Sequence, residues 1–207
     1  QLGFNVIWSY LFFGLQNLPG IPNFTETYIL NQKAITNFQI YRYLTAIFLH
    51  GDITHLAYNL FALLFFGIIL EKKIGSNRFL ATFLLSGIIA NIISVNFYTS
   101  SLGASGAIYG ILGTLTIIAP FIMVWAFGLM MPMFIASILW IAADILRAMG
   151  AFGETNIGSY AHLSGIAIGL LIGIYIKITK PKIIDNKPIK ISFNEQAMET
   201  WENQNIK

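Results

Sequence analysis

The chain has 207 residues, of which 56% are hydrophobic and only 10% charged, with a mean hydropathy of +0.69. A soluble domain carries roughly 25% charged residues, so this composition excludes an ordinary soluble domain and predicts one compact helical bundle in a bilayer. The formal charge of +3 gives no sign of a nucleic-acid partner, and a chain without cysteine has neither disulfides nor thiolate metal sites.

In chain order, six apolar segments stand against the roughly 20 residues that a spanning helix needs. The first, about Phe4 to Leu15, is short and shows no small-residue cleavage site, so a retained helix is expected rather than a signal peptide. The connection from Gly20 to Leu49 is long, carries no obvious helix and is rich in aromatic and aliphatic residues, so it is expected to lie against the bundle. The second segment runs from Thr54 to Leu70 and the third from Arg78 to Val95. The fourth starts at Ser105 and is broken by Pro120. The fifth runs from Pro132 to Arg147 and the sixth from Tyr160 to Ile178. The stretch from Phe121 to Met131 is too apolar for an ordinary loop and is expected to divide between helices four and five. From Pro181 the chain turns polar. Residues 1–180 are therefore expected to form the membrane domain and 181–207 a cytoplasmic tail. No stretch reads as a period-two strand, which argues against an outer-membrane barrel.

Basic residues set the orientation. Lys72, Lys73 and Arg78 fall between segments two and three, and five lysines follow segment six, whereas the opposite side has only Lys33, Arg42 and Arg147. Both termini are expected in the cytoplasm. His50, His55, Ser105 and His162 then all lie at the outer ends of their helices. A polar group in hydrocarbon costs several kcal/mol unless it has a partner or a task, so this coincidence of depth marks a candidate site.

Ser105 follows Gly103 and Ala104 and precedes Gly106, a run that permits a tight turn. Serine is also a favoured helix N-cap, which is the plainer explanation. A helix N-terminus, however, supplies the free N–H donors and partial positive charge that suit a developing oxyanion. Ala161, Gly165, Gly169 and Gly173 repeat every four residues in the sixth segment, and Gly106 and Gly110 do so in the fourth. Such faces let membrane helices approach closely, which would bring His162 near Ser105. Tyr109, one turn below Ser105, is placed to stack on the imidazole. His55 and Asn59 share one helix face and fit oxyanion donors. His50 is expected nearer the surface, where anchoring a loop explains it as well as a site role does. No acidic residue stands where it would obviously orient His162, so the reading is a Ser–His dyad. Asp144 and Arg147, three apart, read as a local ion pair, and Arg42 as a tie for backbone carbonyls. No phosphate loop is present, and three histidines without nearby carboxylates make no convincing metal site. No cofactor is expected.

Taken together, Tyr41-Arg42-Tyr43, His50, His55-Leu56-Ala57-Tyr58-Asn59, Glu71-Lys72-Lys73-Ile74-Gly75-Ser76, Gly103-Ala104-Ser105-Gly106 and Ala161-His162-Leu163-Ser164-Gly165-Ile166-Ala167-Ile168-Gly169 resemble the rhomboid intramembrane serine proteases. The resemblance runs from about Tyr41 to Gly173, and its motifs are specific in combination rather than singly. It implies an all-α polytopic membrane protein, a six-transmembrane-helix rhomboid bundle with a short central helix four. It implies Ser105 as nucleophile and His162 as general base. His55, Asn59 and the Ser105 N–H would form the oxyanion hole, Tyr109 would lie against the His162 ring, and Gly165 and Gly169 would pack closely. A water-filled cavity and a cap after helix five, made flexible by Gly150, Gly153 and Gly158, belong to the same expectation. One departure is Tyr41, where family members usually have Trp. The implied partners are transmembrane protein substrates and the lipid bilayer, in a prokaryotic cell membrane, with helix five as a lateral gate. Two rivals are a non-catalytic relative that binds membrane segments without cutting them, and a small transporter with a polar path. The first would lack the serine or the histidine. The second would place polar residues at several depths.

Overall fold

The computed structural model describes residues 27–153 and 157–179. The first apolar segment and the polar tail lie outside the described residues, so a count of six spanning helices rests on the sequence alone.

The connection before the second segment is not plain coil. It holds β1 (Leu30–Asn31), the short helices α1 (Gln32–Thr36) and α2 (Arg42–Thr45), and a 3₁₀ turn (Ala46–Phe48). Short helical turns escape a reading based on periodicity because they span too few residues to show a repeat. Leu30, Ala34 and Ala46 are buried beneath it, while Phe38 and Ile40 face outward. Arg42 is buried and donates from Nη1 to the Ile29 carbonyl at 2.7 Å. Asn91 donates to the Tyr43 carbonyl at 2.8 Å and ties this region to the bundle.

Five helices follow. Helix α3 (Ile53–Ile74) carries one π-turn at Leu63–Gly67, and α4 spans Ser76–Ser94. Helix α5 (Ser105–Ile118) is short, α6 covers Met133–Ala148, and α7 covers Ser159–Thr179. Three of them, α3, α4 and α7, are long and apolar enough to cross a membrane. At 1.5 Å per residue α5 rises about 21 Å, short of the roughly 30 Å hydrocarbon core. Its residues from Gly106 to Leu115 are buried except Tyr109. A helix apolar on all sides belongs in the middle of a bundle, and α5 is the central rod.

Glycine decides how closely α5 meets α7. A Cβ built on Gly165 would collide with the Gly106 carbonyl, and one on Gly169 with the Gly110 carbonyl. Thr114 then donates to the Gly169 carbonyl at 2.8 Å across the same seam. Small residues let the backbones touch, so dispersion and this hydrogen bond replace the hydrophobic drive that lipid cannot supply.

The stretch expected to divide between helices four and five is instead a β-hairpin, β3 (Met123–Ala126) with β4 (Leu129–Pro132), paired in antiparallel register. Phe127 (φ 53°) and Gly128 (φ 78°) form its turn, both with positive φ as a type I′ turn demands. Val124 and Ala126 point inward while Met123 and Trp125 are exposed, a period-two alternation that uniform apolarity hides in the sequence. A second, minimal ladder joins β1 to β2 (Ser100–Ser101), so the chain is mainly but not wholly helical.

Candidate active site

The N-termini of α3, α5 and α7 gather at one end of the bundle around a cleft of about 1360 Å³. Ser105, His162, His55, Asn59 and Tyr109 all line it.

Ser105 is the first residue of α5. The N-cap position belongs to Ala104, and no side chain caps the helix. Capping therefore does not explain the serine. Its approach is fixed from behind, because the Gly103 N–H donates to the Ala46 carbonyl at 2.9 Å and β2 is laddered to β1. Gly103 has φ 116°, and a Cβ there would stand 2.8 Å from His55 Nε2. Only glycine satisfies that torsion and that neighbour at once.

His162 lies one turn into α7 and is 8% exposed. Its ring stacks on Tyr109 with centroids 4.2 Å apart and planes 8° from parallel. Gly165 and Gly169, next on the same helix face, hold α7 against α5, so the seam carries His162 and Ser105 in one frame. Among the described residues no hydrogen bond joins Ser105 to His162. Catalytic hydrogen bonds are often long before substrate arrives.

The sequence shows no acid obviously placed beside His162, but the fold brings one there. Asp144 of α6 is fully buried and its Oδ2 lies 3.2 Å from His162 Nδ1. Its Oδ1 accepts from Arg147 Nη1 at 3.0 Å. The local ion pair exists, but it uses only half of the carboxylate. A buried carboxylate must have its lone pairs met, and here the second oxygen is met by another helix. The contact joins residues 18 apart on separate helices, so spacing along α6 could show only Arg147. The available signal was Asp144 itself, an acid inside an apolar span.

On α3, the His55 N–H donates to the Asp52 cap at 2.8 Å, and Asn59 is buried with its amide donating to the His55 carbonyl at 2.8 Å. Asn59 thus keeps one amide hydrogen for the cleft. His50, expected near the surface, is only 2% exposed. Its ring meets His55 edge-on at 5.1 Å. Burial, and then the neighbouring His55, hold its pKa down at about 4, so it is neutral near pH 7. Phe97 stacks on Tyr160 at 4.0 Å, and the Tyr98 hydroxyl accepts from the Tyr160 N–H at 3.2 Å, closing the rim beside the start of α7. No group of three or more His, Cys, Asp or Glu able to hold a metal occurs among the described residues.

A family model for the Rhomboid domain matches residues 37–178. The chain is 32% identical over 188 residues to "Rhomboid protein 1, mitochondrial" of Saccharomyces cerevisiae, which covers 84% of this chain and 51% of that protein. It is 32% identical over 145 residues to "Rhomboid-like protease 3" of Toxoplasma gondii, covering 69% and 54%. It is 30% identical over 170 residues to "Putative rhomboid protease YdcA" of Bacillus subtilis, covering 81% of each. The chain spans about half the length of the first two relatives. With relatives in a bacterium as well as a mitochondrial one, the likeness does not assign the chain to a prokaryote. The matched region takes in both glycine faces of the α5–α7 seam and every residue lining the cleft, and on that match the chain is a multi-pass integral membrane protein that belongs to the rhomboid family.

Proposed function

We propose that the chain is an intramembrane serine endopeptidase. The observation that carries this reading is the meeting of Ser105, free of any capping duty, with His162 in one cleft at the head of a short, fully surrounded helix. In this reading Ser105 Oγ attacks the carbonyl carbon of the scissile bond and His162 takes its proton. His162 then returns the proton to the departing amine as the C–N bond breaks, and water hydrolyses the acyl-enzyme. His55, Asn59 and the Ser105 N–H surround the place where the oxyanion forms, and losing one such donor typically costs about 10²–10³ in turnover.

The substrates are transmembrane segments. A helical peptide bond in lipid is shielded by its own hydrogen bonds, so segments that unwind easily, with Gly, Pro or polar residues near the cut, are the favoured class. The flanking lysines support cytoplasmic termini, with the cleft opening on the opposite face. Protease names among the relatives support the same activity.

Fluorophosphonate labelling in detergent tests the reading. Ser105 should be modified, Ser105→Ala should abolish labelling and His162→Ala should suppress it. Undiminished labelling of Ser105→Ala sinks the assignment. A Ser105 that is folded, exposed and inert favours the rival, a non-catalytic binder of membrane segments.

A further inference from the structure

We propose that Asp144 is a positioning residue for the base, so that the working unit is Ser105, His162 and Asp144 rather than a pair. This rests on the reading of Ser105 and His162 as nucleophile and base. The carboxylate is fully buried, and its oxygens are divided between two helices: Oδ1 takes Arg147 from its own helix, and Oδ2 takes His162 Nδ1 from α7. The Tyr109 hydroxyl approaches the same carboxylate while its ring backs the imidazole. The base is therefore held on a face by Tyr109 and on an edge by Asp144.

An ion pair built only for stability would be complete with Arg147, which is one turn away and partly exposed. The further bond to His162 has a chemical result. A carboxylate at Nδ1 keeps the proton on that nitrogen, which leaves Nε2 as the lone-pair nitrogen able to accept from a serine hydroxyl. When His162 becomes an imidazolium during attack, the adjacent negative charge stabilises it, as in soluble serine hydrolases that use a buried Asp behind the His. The arrangement also distributes the reacting groups over three helices, with the nucleophile on α5, the base on α7 and its orienting acid on α6.

The test uses the full chain in detergent with a fluorophosphonate as probe, separating the maximal labelling rate of Ser105 from half-saturation. Asp144→Asn is expected to lower the maximal rate about 10²-fold or more while half-saturation stays within about twofold, and Asp144→Glu to recover most of the loss. A folded Asp144→Asn that labels at the wild-type rate overturns the proposal. Equal losses in Asn and Glu variants, with half-saturation rising in step, also overturn it, because that is the signature of a structural strut. Should Asp144→Asn not fold, ¹⁵N-histidine NMR of the wild-type chain decides. The signal that vanishes in His162→Gln should be the Nδ1–H tautomer, with its proton shifted downfield by the carboxylate. An Nε2–H tautomer rejects the proposal. That spectrum does not depend on a reactive serine, so failure of the protease reading and failure of the Asp144 assignment give different results.

Discussion

Helix α7 holds two of its neighbours, α5 and α6, by different means. Against α5 the contact is backbone on backbone, with Gly165 on the Gly106 carbonyl and Gly169 on the Gly110 carbonyl. Against α6 the contact that matters chemically is one side-chain bond, Asp144 to His162 at 3.2 Å. Helix α6 meets α5 in the same manner, through Thr116 and Ser137 hydroxyls 2.6 Å apart, while Ile138, Leu139, Ile145 and Leu146 face outward. The difference teaches which geometry is built in and which is held in place. The seam cannot shift without a steric clash, so the backbones that carry Ser105 and His162 keep one relation. The contact of His162 with Asp144 lasts only while α6 stays where it is.

The largest effect should come from breaking the seam. Gly165→Leu forces a side chain into the α5 backbone and should destabilise the protein by about 3 kcal/mol or more, with loss of fluorophosphonate labelling. Thermal unfolding in detergent measures it, and a variant with wild-type Tm and labelling would show that the seam is not the rigid element. A smaller effect comes from acid, which acts on the α3 side and leaves the seam alone. An unfolded His50 takes its proton near pH 6.5 and the folded one near pH 4. Between those values the unfolded state binds more protons, so stability is full above pH 6.5 and falls as the pH drops towards 4, by up to about 3 kcal/mol. Tm against pH should show that slope, and His50→Gln should flatten it. An unchanged slope in the variant would place the acid sensitivity elsewhere. The smallest effect belongs to Ser137→Ala, which removes the hydroxyl contact between α5 and α6 at a cost of about 0.6 kcal/mol. Its expected mark is faster amide exchange along α6 with α7 unchanged. Equal acceleration in both helices would mean that α6 and α7 move as one.

Much of the bundle was legible because helix spans and small-residue faces are local patterns. The Gly106–Gly110 and Gly165–Gly169 spacings show in the sequence the two faces that meet in the fold. Ser105 and His162 stood out because polar groups are costly inside apolar segments. The β3–β4 hairpin was hidden because Phe121 to Met131 is apolar on both faces, and a strand with two apolar faces has no alternation to read. The burial of His50 was not legible because nothing local shows that the rest of the fold covers its loop. Asp144 was assigned to Arg147 because a partner one turn away is visible along the chain and a partner on another helix is not.

The hairpin also determines how α6 can swing. The first residues of α6 are fastened, with Met133 N–H on the Ile122 carbonyl at 2.9 Å and Phe134 N–H on the Pro120 carbonyl at 3.1 Å. The far end runs into Gly150 and Gly153, whose positive φ torsions meet no neighbour. Asp144 lies eleven residues from the fastened end, about 16 Å along the helix. A tilt of about five degrees carries the carboxylate roughly 1.4 Å, enough to part it from the imidazole. If His162 is the base proposed above, such a tilt would open the wall on that side and slacken the base together, and its reversal would restore both, coupling access to reactivity.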